Sequence, residues 1–221
     1  MTNSSQYNRR QGKTAEETAK LLKASTMMAT LGAMESSEAT QKLTAILNSY
    51  KLEADDAAEV VDKLVNADLI AATSTEELAT AFQYSASFAS AAGVSFDKMV
   101  GMLTTASETT RLSAETVGQA FKSMFSRLQN VKAGKSIDDE GEAINDSEKV
   151  LKRYNISLRD SATEFRNLED VLDDVGRRWN EFDTVEQAQI ATAIAGKMYA
   201  RTYRNIWISF RYRNYPISVK L

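Results

Sequence analysis

The sequence predicts an all-α chain built from stacked helical hairpins, a helical bundle, followed by a short extended C-terminal tail. Three observations carry the prediction. The 221 residues contain a single proline, Pro216, and nine glycines. Helix interiors reject proline and favour the Ala, Leu, Glu, Lys, Gln, Met and Arg that fill most other positions. Hydroxyl and carboxylate residues recur at the spacing of the capping box, and each occurrence is followed by an apolar pattern of helical period.

The boxes divide the chain. Thr14 to Glu17, Ser74 to Glu77 and Ser161 to Glu164 place a hydroxyl three residues before a carboxylate, so each can satisfy the other's backbone N–H; Asp183 to Glu186 does so with aspartate as the cap. With the apolar stripes they predict helices over about 14–32, 36–50, 54–71, 75–92, 96–108, 113–133, 141–154, 162–181 and 184–203. Connections this short favour antiparallel neighbours. Residues 1–13 are expected to be a flexible N-terminal segment and 14–205 the helical body.

Ser74, Ser95 and Ser113 share a spelling: an acid two residues on (Glu76, Asp97, Glu115), an apolar residue at the fourth (Leu78, Met99, Val117) and another at the eighth (Phe82, Leu103, Phe121). An acid in the first turn complements the positive helix end, and the two apolar positions share one stripe. We read this as one grammar of helix starts used three times, which is too little to define a solenoid. The acidic segment Ala133 to Lys149, AGKSIDDEGEAINDSEK, reads as a linker over 133–148 that could divide the body. After Asn205 the period changes to two: Ile206, Ile208, Phe210 and Tyr212 alternate with Trp207, Ser209, Arg211 and Arg213, predicting an extended, divergent tail over 206–221.

Composition excludes much chemistry. The chain has neither cysteine nor histidine, which removes disulfides, thiolate zinc sites and the usual nucleophile and base pairs. Adjacent carboxylates such as Asp55/Asp56, Asp138/Asp139 and Asp173/Asp174 lack the separated, desolvated geometry of acid–base catalysis. An EF-hand register through Gly141 puts Ser147 where a bidentate glutamate belongs. Neither phosphate-binding glycine motifs nor a nucleophile elbow occur. The expectation is therefore a non-enzyme with no cofactor and no metal. A formal charge of −3 spread along the chain offers no basic field for specific nucleic-acid binding. The N-terminus has no apolar stretch of the kind a secretory signal needs, and no window approaches the roughly 18 apolar residues of a membrane span.

The candidate contact face lies in TTRLSAETVGQAFKSMFSRLQ, residues 109–129, where Val117, Phe121, Met124, Phe125 and Leu128 make a stripe wide enough to meet two neighbours. Core packing is the first reading and a partner contact the second. Gly118 inside this helix costs roughly 1 kcal/mol relative to alanine, which suggests a close helix crossing.

This stretch resembles the signature of phage tail tape-measure proteins, the family carried by long-tailed phages and prophages. The resemblance extends upstream through VVDKLVNADLIAATSTEELATAFQYSASFASAAGVSFDKMVGMLTTASETT and downstream through INDSEKVLKRYNISLRDSATEFRNLEDVLDDVGRRWNEFDTVEQAQIATAIAG, covering most of positions 14 to 200. It implies a helical core, a structural role in tail assembly and tail-length determination, self-association, tail-tube and tail-assembly partners, and location in the virion tail after assembly in the host cytoplasm. Members of that family act as rulers. Fully helical, this chain would span only about 330 Å, and after IAGKMYARTYRN it leaves the helical pattern, so a prophage remnant or truncated reading frame is expected. The alternative function is a membrane-active module aiding DNA passage through the host envelope, with contact confined to the basic, aromatic C-terminal tail.

Overall fold

The computed structural model describes residues 12–130 and 145–212, with side chains beyond Ala200 described only at Tyr203. The helices are α1 (Ala15–Leu31), α2 (Ser36–Tyr50), a 3-10 turn (Ala54–Asp56) leading into α3 (Ala57–Ile70), α4 (Thr75–Ala91), α5 (Phe96–Thr110), α6 (Ala114–Leu128), α7 (Asp146–Arg153), α8 (Leu168–Arg178) and α9 (Thr184–Tyr212). The all-α expectation holds. The described residues contain no strand, only an isolated antiparallel bridge between Arg159 and Phe165.

The predicted starts at Thr14, Ser74 and Asp183 are real caps. Thr14 Oγ1 accepts from Glu17 N while Glu17 Oε2 accepts from Thr14 N at 2.7 Å. Ser74 and Glu77 repeat the exchange, and Asp183 Oδ1 accepts from Glu186 N at 2.8 Å. Each pair satisfies backbone donors that the first helical turn leaves open.

Two predicted segments differ. The box at Ser161 starts no helix: residues 155–167 form an irregular loop in which Asp160 N donates to Glu164 O at 3.0 Å and Arg166 N to Leu158 O at 3.1 Å. The helix begins later, capped by Asn167, whose Oδ1 accepts from Glu169 N at 2.8 Å. The groups of the box are turned elsewhere: Ser161 Oγ accepts from Thr163 N at 3.4 Å, and Ser161 N donates to the Glu164 carbonyl rather than to its carboxylate. The extended tail is also corrected over 206–212, where the backbone continues α9 as helix. Helix propagation adds one bond per residue, so an existing helix runs on more cheaply than a new strand starts. Residues 213–221 of that tail, residues 1–11, and residues 131–144, which take in most of the predicted linker over 133–148, lie outside the described residues.

The first six helices form two copies of one unit. Helices α1 and α4 differ by 60 residues at both ends, as do α2 and α5, and the 3-10 turn with α3 begins 60 residues before α6. The left-handed residues between them follow the same step: Ala33 (φ 51°) matches Gly93 (φ 78°), and Lys51 (φ 55°) matches Arg111 (φ 54°). At Ala33, Lys51 and Gly93 the next residue donates back across the helix end, as Met34 N to Ala29 O, Leu52 N to Leu47 O and Val94 N to Ala89 O, which closes the Schellman motif. The shared spelling at Ser74, Ser95 and Ser113 therefore marks three helix starts inside one unit, while the repeating element is three helices long.

The units meet through α2, α3 and α4. Tyr50 at the end of α2 makes edge contacts with Phe82 of α4 (6.3 Å between ring centroids) and Phe96 of α5 (5.6 Å), and Phe82 stacks on Phe96 at 5.1 Å. Burying each such ring contributes about 1.5–3 kcal/mol. Thr75 donates through N and Oγ1 to Asp68 Oδ2 of α3, both at 2.9 Å. Helix α9 then packs on α5 and α6, much as α4 packs on α2 and α3. One continuous apolar core runs from Leu21 to Tyr203.

Candidate functional site

The five stripe residues of α6 are all buried in this core. Val117, Phe121, Met124, Phe125 and Leu128 are each 3% exposed or less, and the Phe121 and Phe125 rings lie 6.1 Å apart. Their neighbours come from α4, α5, α7 and α9. The stripe thus closes an internal core, and in this state no partner can reach it. Gly118 explains how α6 comes so near α4. A Cβ there would stand 2.5 Å from the Ala81 carbonyl oxygen and 2.9 Å from Tyr84 Cβ. Around that crossing Lys122 Nζ lies 5.1 Å from the Phe88 ring centre, and Gln129 Nε2 donates to Ala91 O at 3.3 Å.

The later helices are tied to this frame by polar contacts. Leu168 N donates to Ala92 O at 3.1 Å, Ser95 N donates to Glu169 Oε2 at 2.9 Å, and Lys98 pairs with Asp173. Gly93 accepts this docking because Asn167 lies 3.1 Å from where its Cβ would be. Asn145, at the end of the predicted linker, caps α7 and donates through Nδ2 to Leu128 O and Asn130 O. Glu148, only 1% exposed, accepts from Arg159 Nε at 2.8 Å, so the irregular loop supplies the counter-charge that α7 needs.

One surface cleft brings charged and apolar side chains together. A surface cleft of about 190 Å³ is lined by Leu52, Val60, Lys63, Phe96 and Asp97, below the roughly 300 Å³ at which ligand pockets begin. Burial would lower the Lys63 amine, but Asp97 at 2.6 Å and Glu59 at 2.8 Å outweigh it and hold the amine above its usual value, protonated and non-nucleophilic. Burial, with the Glu169 charge, pushes the Tyr50 hydroxyl up, so it stays neutral among its aromatic neighbours. Among the described residues no group of three Asp or Glu is arranged to hold a metal.

What faces solvent is apolar at places outside the α6 stripe: Leu69 (77% exposed), Ile70, Leu31, Val185 and Met198 (81%). The signal was present at Leu69 and Ile70, where the apolar pattern of α3 overruns the arc its neighbours can cover. Arg111 Nη1 donates to Ala72 O at 3.1 Å and ties the loop beyond Ile70 to the α5–α6 corner, where Leu112 is also exposed.

A body of packed helices, with its one marked apolar stripe spent internally, is the setting in which the comparison with known families decides the class. Residues 1–196 match the family described as Phage-related minor tail protein. The chain belongs to that family. The match ends at Gly196, where the backbone of α9 leaves helical geometry (φ 75°, ψ 166°). As a minor tail family member the chain has a structural role in the phage tail and is a component of the virion tail, in a family that is generally non-enzymatic. No solved structure matches it.

Proposed function

We propose that this minor tail protein is a tape-measure core module, a helical element that organises tail assembly and contributes to setting tail length. The observation that carries the reading is the family match over 1–196 taken with the tape-measure signature in residues 109–129. The stacked units support it. A fixed helical rise of about 1.5 Å per residue converts chain length to distance, but a folded stack converts it poorly, so this segment serves as an anchoring and organising module rather than the measuring rod. Its partners are tail-tube and tail-assembly proteins, met in the host cytoplasm during assembly.

Co-expression with the tail-tube subunit of the same phage tests this. The expected result is co-sedimentation of the two and tube polymerisation that depends on this chain; tubes that form with unchanged yield and length distribution when it is omitted would refute the proposal. The membrane alternative rests on the C-terminal tail, of which residues 213–221 lie outside the described residues; no helix of the described residues is long and apolar enough to cross a bilayer.

A further inference from the structure

The 60-residue duplication exposes a face that one copy covers and the other does not. On α4, Thr75, Ala79 and Phe82 are fully buried and Ala86 is 2% exposed. Spaced i, i+4, i+7 and i+11, they form the stripe that meets the preceding unit, through Asp68 and Tyr50. The matching positions on α1 are Ala15, Ala19, Leu22 and Thr26, and no unit precedes them among the described residues. Ala15, Ala19 and Thr26 are exposed and Leu22 is half-buried. The inward positions of α1 are buried as their α4 counterparts are: Leu21 and Ser25 are each 2% exposed, and Ala81 and Ser85 are fully buried. The two helices therefore share one design, differing where α4 has a neighbour.

We propose that the outer face of α1 is a docking surface for a second copy of this chain, in an antiparallel α1–α1 pair about a two-fold axis. The face is self-complementary in that arrangement. When two antiparallel helices place Ala15 opposite Thr26, the same register places Ala19 opposite Leu22, so small residues meet larger ones throughout and the helix axes can approach closely. Charge agrees with the register. Glu16 of one copy lies within about 3 Å, along the axis, of the level of the other copy's Lys23. Lys23 has no carboxylate partner among the described residues, and Glu16 is 79% exposed although paired with Lys20 at 2.9 Å. One helix pair buries less than the ~1,200 Å² of a tight interface, so the dimer forms reversibly. The duplication marks the face as open, and the register and charge select a second α1 as its occupant; neither depends on the tape-measure reading.

Sedimentation velocity on the full chain, over micromolar to millimolar concentration, tests it. A monomer–dimer equilibrium is expected. Ala19→Glu should weaken it by about tenfold or more through like-charge burial near the axis, with unchanged helical circular dichroism because the site is exposed. Glu16→Lys should weaken it, and Glu16→Lys combined with Lys23→Glu should restore it, an outcome that a merely structural effect does not produce. Three results would overturn the proposal: a monomer at every concentration, a dimer indifferent to Ala19→Glu but lost in Leu69→Glu, or dimerisation only after residues 1–11 are removed, which would place that segment on the face instead.

Discussion

Replacing Gly118 by alanine should destabilise the chain even though alanine is the better helix former. On an exposed helix the change would gain about 1 kcal/mol. Here the new methyl would meet the Ala81 carbonyl oxygen at 2.5 Å, Tyr84 Cβ at 2.9 Å and Ala81 Cα at 3.1 Å. Two of those atoms are backbone, so relief requires α4 and α6 to separate by several tenths of an ångström along their whole contact. Overpacking of this kind costs typically 1–3 kcal/mol or more. Separation also loosens Phe82, Phe121 and Phe125, which are packed on either side, so we place the net loss at about 1–2 kcal/mol, or a Tm lower by roughly 2–8 °C for a chain of this size. Urea unfolding followed by helical circular dichroism measures it, with Gln119→Ala on the exposed face of the same helix as the propensity control. A midpoint for Gly118→Ala equal to or above that of the parent chain would refute the close-crossing argument.

Other sites offer independent checks. Arg159→Ala removes the nearest counter-charge of the buried Glu148 carboxylate and leaves it Lys152 at 3.5 Å, so it should cost about 1–3 kcal/mol, much of it recovered when Glu148→Leu is added; denaturant titration of the single and double variants reads both. At Asp174 burial favours the neutral form, but the Arg166 and Arg177 guanidiniums outweigh it and hold the carboxyl below the usual range. That contribution is complete above the unfolded-state value and is lost as pH falls through the folded one, so thermal melts from neutral to acid pH should show a shallower acid slope in Asp174→Asn. Gly196→Ala forces a side chain into φ 75°, ψ 166° and should cost about 1–3 kcal/mol. Ala33→Gly relieves a left-handed alanine (φ 51°) and should gain about 0.5–1 kcal/mol in the same assay.

Local signals were legible where they did not need a distant partner. The capping boxes at Thr14, Ser74 and Asp183 form because hydroxyl or carboxylate and acid lie within one turn of each other. Ser161 and Glu164 satisfy the same spacing yet cap nothing, since Ser161 Oγ accepts from Thr163 N and the Ser161 amide turns to the Glu164 carbonyl. The alternation from Ile206 to Tyr212 was a period without a sheet to join among the described residues, and the backbone stayed helical.

The duplication hid for a related reason. Between the copies, Glu16 and Glu76, Ala19 and Ala79, Ser25 and Ser85, and Leu43 and Leu103 are identical, but most matched positions conserve only burial. Leu21 matches Ala81, and Leu22 matches Phe82, because each unit packs against different neighbours.

The amino-acid order alone determined that this chain is helical, that it lacks the cysteine and histidine of common catalysis, and that α6 carries a broad apolar stripe; these follow from propensity, composition and periodicity, which act over a turn or two. Which way each stripe faces was decided only by the tertiary structure. Val117 to Leu128 are covered because α4, α5, α7 and α9 converge on them, while Ala15, Ala19 and Thr26 stay open because no helix of the described residues lies on that side. Burial is a property of neighbours distant in sequence, and no local pattern encodes whether they arrive.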